Sequence, residues 1–155
     1  MSKVYRFSAE QFIPSDIHTV WKFMSAPQNL NKITPASMNF EILNNSADGE
    51  MYPGMVISYK VSPLPGFRVN WVTEITHVQD LHYFVDEQRF GPYSFWHHKH
   101  FLREVEGGVM MTDIVDYKIP FGWIGDLGNT LLIKHKLKEI FAFRKQALEK
   151  LFPSA

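Results

Sequence analysis

Near the start of the chain Tyr5, Phe7 and Ala9 alternate with Val4, Arg6, Ser8 and Glu10. That two-residue period predicts a half-buried strand over residues 4–12. Pro14 ends it. Ser15 or Asp16 can cap a short helix, on which Ile17, Val20, Trp21 and Met24 recur at helical spacing. Ser25-Ala26-Pro27 breaks that helix and opens a second short one through Leu30. From Ser37 to Tyr117 the pattern turns to repeated strands, expected at 38–43, 55–61, 67–78, 81–90, 93–105 and 109–119. Their punctuation is explicit: a polar stretch at 44–50, Pro63-Leu64-Pro65-Gly66, Gln79-Asp80, Gly91-Pro92 and Glu106-Gly107-Gly108.

After Pro120-Phe121-Gly122 the period changes to that of a helix. Ile124, Leu127, Leu131, Leu137, Ile140, Phe141, Leu148 and Leu151 mark one apolar face of a long amphipathic helix over about 125–152. Lys134, Lys136, Lys138, Lys145 and Lys150 are assigned to its solvated outer face. One strand, two short helices, six strands and a long helix predict an α+β domain. Hairpin-linked strands make an antiparallel sheet, and only the terminal helix is long enough to cover its apolar face. A bent sheet gripping a helix leaves space between them for a ligand.

Composition narrows the classes of function. With 155 residues, 45% hydrophobic and 15% aromatic, one domain with a substantial core is expected, covering 1–155. Lys plus Arg and Asp plus Glu balance at 16 each, so no overall field favours nucleic acid, and no nucleic-acid partner is expected. The absence of cysteine removes disulfides, thiolate nucleophiles and Cys-based metal centres. No run approaches the ~18 apolar residues of a spanning helix, so stable membrane insertion is not expected. No long apolar run precedes Glu10, which argues against a signal peptide and for the cytoplasm.

Phe84-Val85-Asp86-Glu87-Gln88, Gly91-Pro92-Tyr93, Trp96-His97-His98, His100, Gly107-Gly108, Asp113, Val115-Asp116-Tyr117 and Pro120-Phe121-Gly122 carry a resemblance. Together they resemble a bacterial branch of the SRPBCC superfamily, which includes START domains, Bet v 1-like proteins and polyketide cyclase/dehydrase-like proteins. The order of elements matches over nearly the whole chain, the motif over residues 84–122. The resemblance implies a helix-grip fold: a curved antiparallel sheet of about seven strands wrapped on a long C-terminal helix. It also implies a cavity for a lipid- or polyketide-like molecule. A minority of the superfamily are enzymes, and no single reaction is implied for this branch.

Strand geometry selects the candidate residues. After Gly91-Pro92 one face carries Trp96, His98, His100 and Leu102; the other carries Phe95, His97, Lys99 and Phe101, and Lys99 belongs in water. If Val105 pairs with Gly108, His100 lies opposite Asp113, His98 opposite Val115 and Trp96 opposite Tyr117. A bulge at the glycines would slip this register. Phe84, Asp86 and Gln88 share a face of the preceding strand, and Trp71, Thr73 and Ile75 a face of the one before. The expected cavity has aromatic walls of Trp71, Phe84, Trp96 and Tyr117, with a polar cluster of Asp86, Gln88, His98, His100 and Asp113.

This cluster admits several chemistries. A His held by an Asp suits proton transfer near neutral pH, so His98, His100 and Asp113 would be catalytic in a cyclase/dehydratase-type enzyme. The same groups could orient a bound ligand, or form a satisfied network that fixes register. His98 and His100 with a carboxylate resemble a two-His-one-carboxylate metal set, but no further motif supports one, and neither metal nor cofactor is expected. Glycine-rich phosphate loops, a nucleophile elbow and HExxH are missing from the sequence. The leading expectation is a protein that binds a small hydrophobic or amphipathic ligand. The rivals are the enzyme and a protein-interaction module with a collapsed cavity.

Overall fold

Two tight turns set the hairpins that organise the sheet. In the computed structural model, which describes residues 3–44, 49–121 and 132–154, Leu64 pairs with Phe67 around Pro65-Gly66, and Val105 with Gly108 around Glu106-Gly107. Gly66 and Gly107 both sit at φ +80°, a left-handed conformation that glycine adopts without a Cβ clash. Seven antiparallel strands result: β1 Tyr5–Ile13, β2 Glu41–Ile42, β3 Val56–Leu64, β4 Phe67–Gln79, β5 Tyr83–Phe90, β6 Phe95–Val105 and β7 Gly108–Lys118. They lie in the order β1-β7-β6-β5-β4-β3-β2. Register shifts at Val61/Leu64, Val72/Thr73 and Ile75/His77 interrupt the long strands, as bulges that bend a sheet do.

Between β1 and β2 lie the helix α1, Ile17–Met24, and two 3₁₀ turns, Pro27–Ile33 and Ala36–Met38. Asp16 caps α1 by accepting a bond of 2.9 Å from the Thr19 backbone N–H. Ile17, Val20, Trp21 and Met24 are all buried, as their spacing predicts. The strand expected at 38–43 shrinks to Glu41–Ile42. Met38 closes a 3₁₀ turn and Asn39 takes a left-handed φ of 46°, so pairing begins only after it.

The C-terminal helix α2 spans Lys134–Leu151. The positions expected to begin it, including Ile124, Leu127 and Leu131, lie outside the described residues. Its buried stripe is Leu137, Phe141, Arg144 and Leu148. Phe141 packs on Phe7 of β1 at 4.8 Å between ring centroids, and Gln11 donates to the Lys145 carbonyl at 2.9 Å. The helix therefore lies across the concave face of the sheet. Two assignments for it need correction. Leu151, in the last turn, is 43% exposed while Leu148 before it is buried, and Lys136 turns toward the interior rather than the outer face.

The core divides in two. One part gathers α1, the sheet and Leu148 around Ile13, Val20, Trp21, Phe84 and Met111; the other gathers Val115, Tyr117, Leu137 and Phe141. Burying each large apolar side chain contributes about 1.5–3 kcal/mol. A cavity remains between the two parts. No helix of the described residues is long and apolar enough to cross a membrane.

Candidate functional site

The β6–β7 hairpin has the expected register, with no slip at the glycines. His100 lies opposite Asp113, His98 opposite Val115 and Trp96 opposite Tyr117. Alternation on β6 then turns His98, His100 and Leu102 inward, each 5% exposed or less. On β5, Asp86 lies opposite His98. Two carboxylates thus flank two imidazoles whose ring centroids are only 3.7 Å apart.

Each ring nitrogen faces a carboxylate oxygen. His98 Nε2 is 2.8 Å from Asp113 Oδ1, and its Nδ1 is 3.5 Å from Asp86 Oδ2. His100 Nε2 is 2.7 Å from Asp86 Oδ2. His100 Nδ1 lies 3.0 Å from Asp113 Oδ1 but is misaligned for a hydrogen bond, so that contact is one of charge only. Arg144 reaches down from α2 and places Nη1 3.2 Å from Asp113 Oδ1. Trp96 Nε1 donates to Asp86 Oδ1 at 3.3 Å.

Burial and neighbours settle the charges. Burial holds the His98 ring down to about 4, and the adjacent His100 ring reinforces this, outweighing its carboxylate contacts. Burial alone would lower His100 too, but its contacts with Asp113 and Asp86 raise it above the usual value. Burial opposes ionisation of Asp113, yet the Arg144 charge and the two imidazoles hold it well below the carboxylate range. For Asp86 the His100 hydrogen bond and the charges of both rings likewise overcome burial and lower it. Asp86 and Asp113 are thus held as carboxylates and His98 as the neutral ring, while His100 is the ring biased toward its imidazolium. A second imidazolium would leave a buried excess charge.

Beside this cluster is a cavity of about 150 Å³. Trp71, Phe84, Asp86, Trp96, His98 and His100 line it from the sheet; Ile133, Lys136, Leu137, Ile140, Phe141 and Arg144 line it from α2 and the residue before it. Trp71 packs on Tyr59, with rings nearly parallel at 5.8 Å, and edge-on to Trp96 at 5.3 Å. Its indole Nε1 is buried with no hydrogen-bond partner among the described residues.

Three expected lining residues stand elsewhere. Asp113 lies behind the imidazoles, 1% exposed, where it holds them without facing the space. Gln88 shares the predicted face of β5, but its amide donates to the Tyr93 carbonyl at 2.6 Å and accepts from the Tyr93 N–H at 3.1 Å. It clasps the Gly91-Pro92 bend instead of reaching the cavity. Tyr117 is buried against Tyr5 and Tyr93, beside the site but not at its surface. Conversely Arg144, Tyr59 and Tyr93 belong to the site and were not expected there. Tyr59 alternates with Ile57 and Val61, and the spacing 137/141/144/148 places Arg144 on the buried stripe of α2, so both signals are present in the sequence.

No family model matches this sequence, and no curated protein does. Solved structures do match. A protein of Chromobacterium violaceum is similar over 97% of this chain and 99% of its own, with 11% identity and a TM-score of 0.73. Major latex-like protein 151 of Panax ginseng is similar over 97% and 99%, with 12% identity and a TM-score of 0.70. Ara h 8.0201 is similar over 96% and 99%, with 16% identity and a TM-score of 0.60. Across such distant sequences the likeness establishes architecture: the chain has the helix-grip fold of the Bet v 1-like proteins.

Proposed function

We propose that this chain is a single ligand-binding domain of the cytoplasm, taking a small hydrophobic or amphipathic molecule between the sheet and α2. The main support is a hollow of about 150 Å³ whose largely apolar wall also carries Asp86, His98 and His100. A few polar groups in an apolar wall would fix the orientation of a ligand's polar end. The rings of Trp71, Phe84 and Trp96 would pack against the ligand body. The volume suggests the size of the buried part, since a dry cavity of about 150 Å³ accommodates benzene. A lipid- or polyketide-like molecule would lodge one ring, or a short length of chain, beside Ile140.

Native mass spectrometry of the protein as purified from cells tests this reading. Expected is one small-molecule adduct per chain, released on denaturation and lost in Ile140→Trp, which fills the cavity. A spectrum free of adducts, together with no saturable response to ring-sized amphiphiles, would overturn it.

A further inference from the structure

The contacts around the two imidazoles are divided in an unusual way. His98 Nδ1 and His100 Nε2 both face Asp86 Oδ2, at 3.5 and 2.7 Å. The remaining nitrogens, His98 Nε2 and His100 Nδ1, both face Asp113 Oδ1, at 2.8 and 3.0 Å. One carboxylate is thus shared by one nitrogen of each ring, and a second carboxylate by the other pair. Arg144 anchors the second carboxylate from behind.

We propose that Asp86, His98 and His100 form a binding site for one first-row divalent metal ion such as Zn²⁺ or Fe²⁺. Their three ligand atoms lie within 4.8 Å of one another. Metal–nitrogen and metal–oxygen bonds of about 2.0–2.2 Å at a tetrahedral angle separate ligand atoms by roughly 3.3 Å. The observed 2.7 and 3.5 Å bracket that value, so modest side-chain movement admits the ion in place of a proton.

A further feature supports a metal over a plain ion-pair network. Metal-bound histidines characteristically hand their other ring nitrogen to a carboxylate, which fixes tautomer and orientation. Asp113 serves His98 Nε2 in that way at 2.8 Å and stands 3.0 Å from His100 Nδ1, and Arg144 holds it there. Two imidazoles and one carboxylate, without thiolate, suit a borderline divalent ion and leave coordination positions open. Asp86, His98 and His100 all line the cavity, so those positions face it. An oxygen of a bound organic molecule would complete the shell. The site goes beyond the proposed function and is independent of it, because metal binding is measured with no organic ligand present.

The test titrates chelator-treated protein with Co²⁺ alone, reading visible absorption, and with Zn²⁺ alone, by calorimetry. Expected is one ion per chain, with binding lost in His98→Ala and His100→Ala. Asp113→Asn should weaken it by 10–100-fold, the effect typical of an outer partner. Glu87→Gln, which removes the carboxylate 3.4 Å from the outward-facing His97, should leave it unchanged. Should the alanine variants fail to fold, imidazole ¹⁵N spectra of wild-type protein decide: Zn²⁺ must shift His98 and His100. The proposal is overturned by no stoichiometric binding at millimolar metal, by full retention in both alanine variants, or by shifts confined to the other histidines.

Discussion

Replacing Arg144 with Met probes how the buried cluster is held together. Arg144 is 9% exposed, and its guanidinium sits 4.9 Å from the Phe141 ring centroid and meets Asp113 Oδ1 at 3.2 Å. Methionine keeps much of the apolar contact with Phe141 while deleting the charge, so the loss falls on Asp113. Breaking a buried ion pair from one side costs about 3–5 kcal/mol, because the remaining charge stays dehydrated. Asp113 keeps His98 Nε2 at 2.8 Å and His100 Nδ1 at 3.0 Å, which places the expected cost at the lower end, about 3 kcal/mol. For a domain of this size that corresponds to a fall in Tm of about 6–12 °C. Urea denaturation with an unchanged m-value is the assay, repeated for Asp113→Asn and for the double variant. The double variant should be more stable than the summed single losses by at least about 1.5 kcal/mol, since removing both charges leaves neither stranded. A single-variant cost within about 0.5 kcal/mol of zero, the range of ordinary surface changes, would refute the buried pairing.

Other consequences are as direct. In metal-free protein the folded His98 titrates near 4, below its unfolded value of about 6.5, so its contribution is present above pH 6.5 and is lost as pH falls toward 4. His100 is raised, so its contribution is complete below about pH 6.5 and is lost as pH rises through its folded value. Stability should therefore peak near neutrality; the His98 arm is worth on the order of 3 kcal/mol, and denaturant midpoints from pH 4 to 9 would show a flat profile if the rings were exposed. Gly108→Ala should destabilise by about 1–3 kcal/mol, because its Cβ would strike the Ile13 carbonyl and the Phe12 ring; an unchanged Tm would contradict the tight β1–β7 packing.

The hairpin register was legible because a two-residue turn leaves one pairing and Gly107 supplies the conformation that turn needs. Once residues 98, 100 and 113 were paired, alternation alone brought the imidazoles inward beside a carboxylate. Asp86 was legible for the same reason, being on the right face of the adjacent strand. Gln88 shows where face assignment stops: it lies near a strand end, where the backbone of the Gly91-Pro92 bend offers a donor and an acceptor closer than the cavity. Arg144 was hidden by its own charge, since a guanidinium in an apolar stripe looks like a break in the pattern until Asp113 is found beneath it. Lys136 looked solvent-facing for the same reason, although its long stem lets it border the interior with its charge paired to Glu139 at 3.1 Å. Residues 38–40 combine apolar side chains with a left-handed turn at Asn39, which hydrophobic pattern does not report.

The hollow between sheet and helix, with the imidazole pair in its wall, is tested most directly by a methyl and aromatic NMR titration with phenol. Saturable shifts are expected at Ile57, Ile75, Phe84 and Ile140, whose side chains border the cavity. An absence of saturable shifts, or shifts gathered on outward-facing Val56 and Phe101, would contradict it.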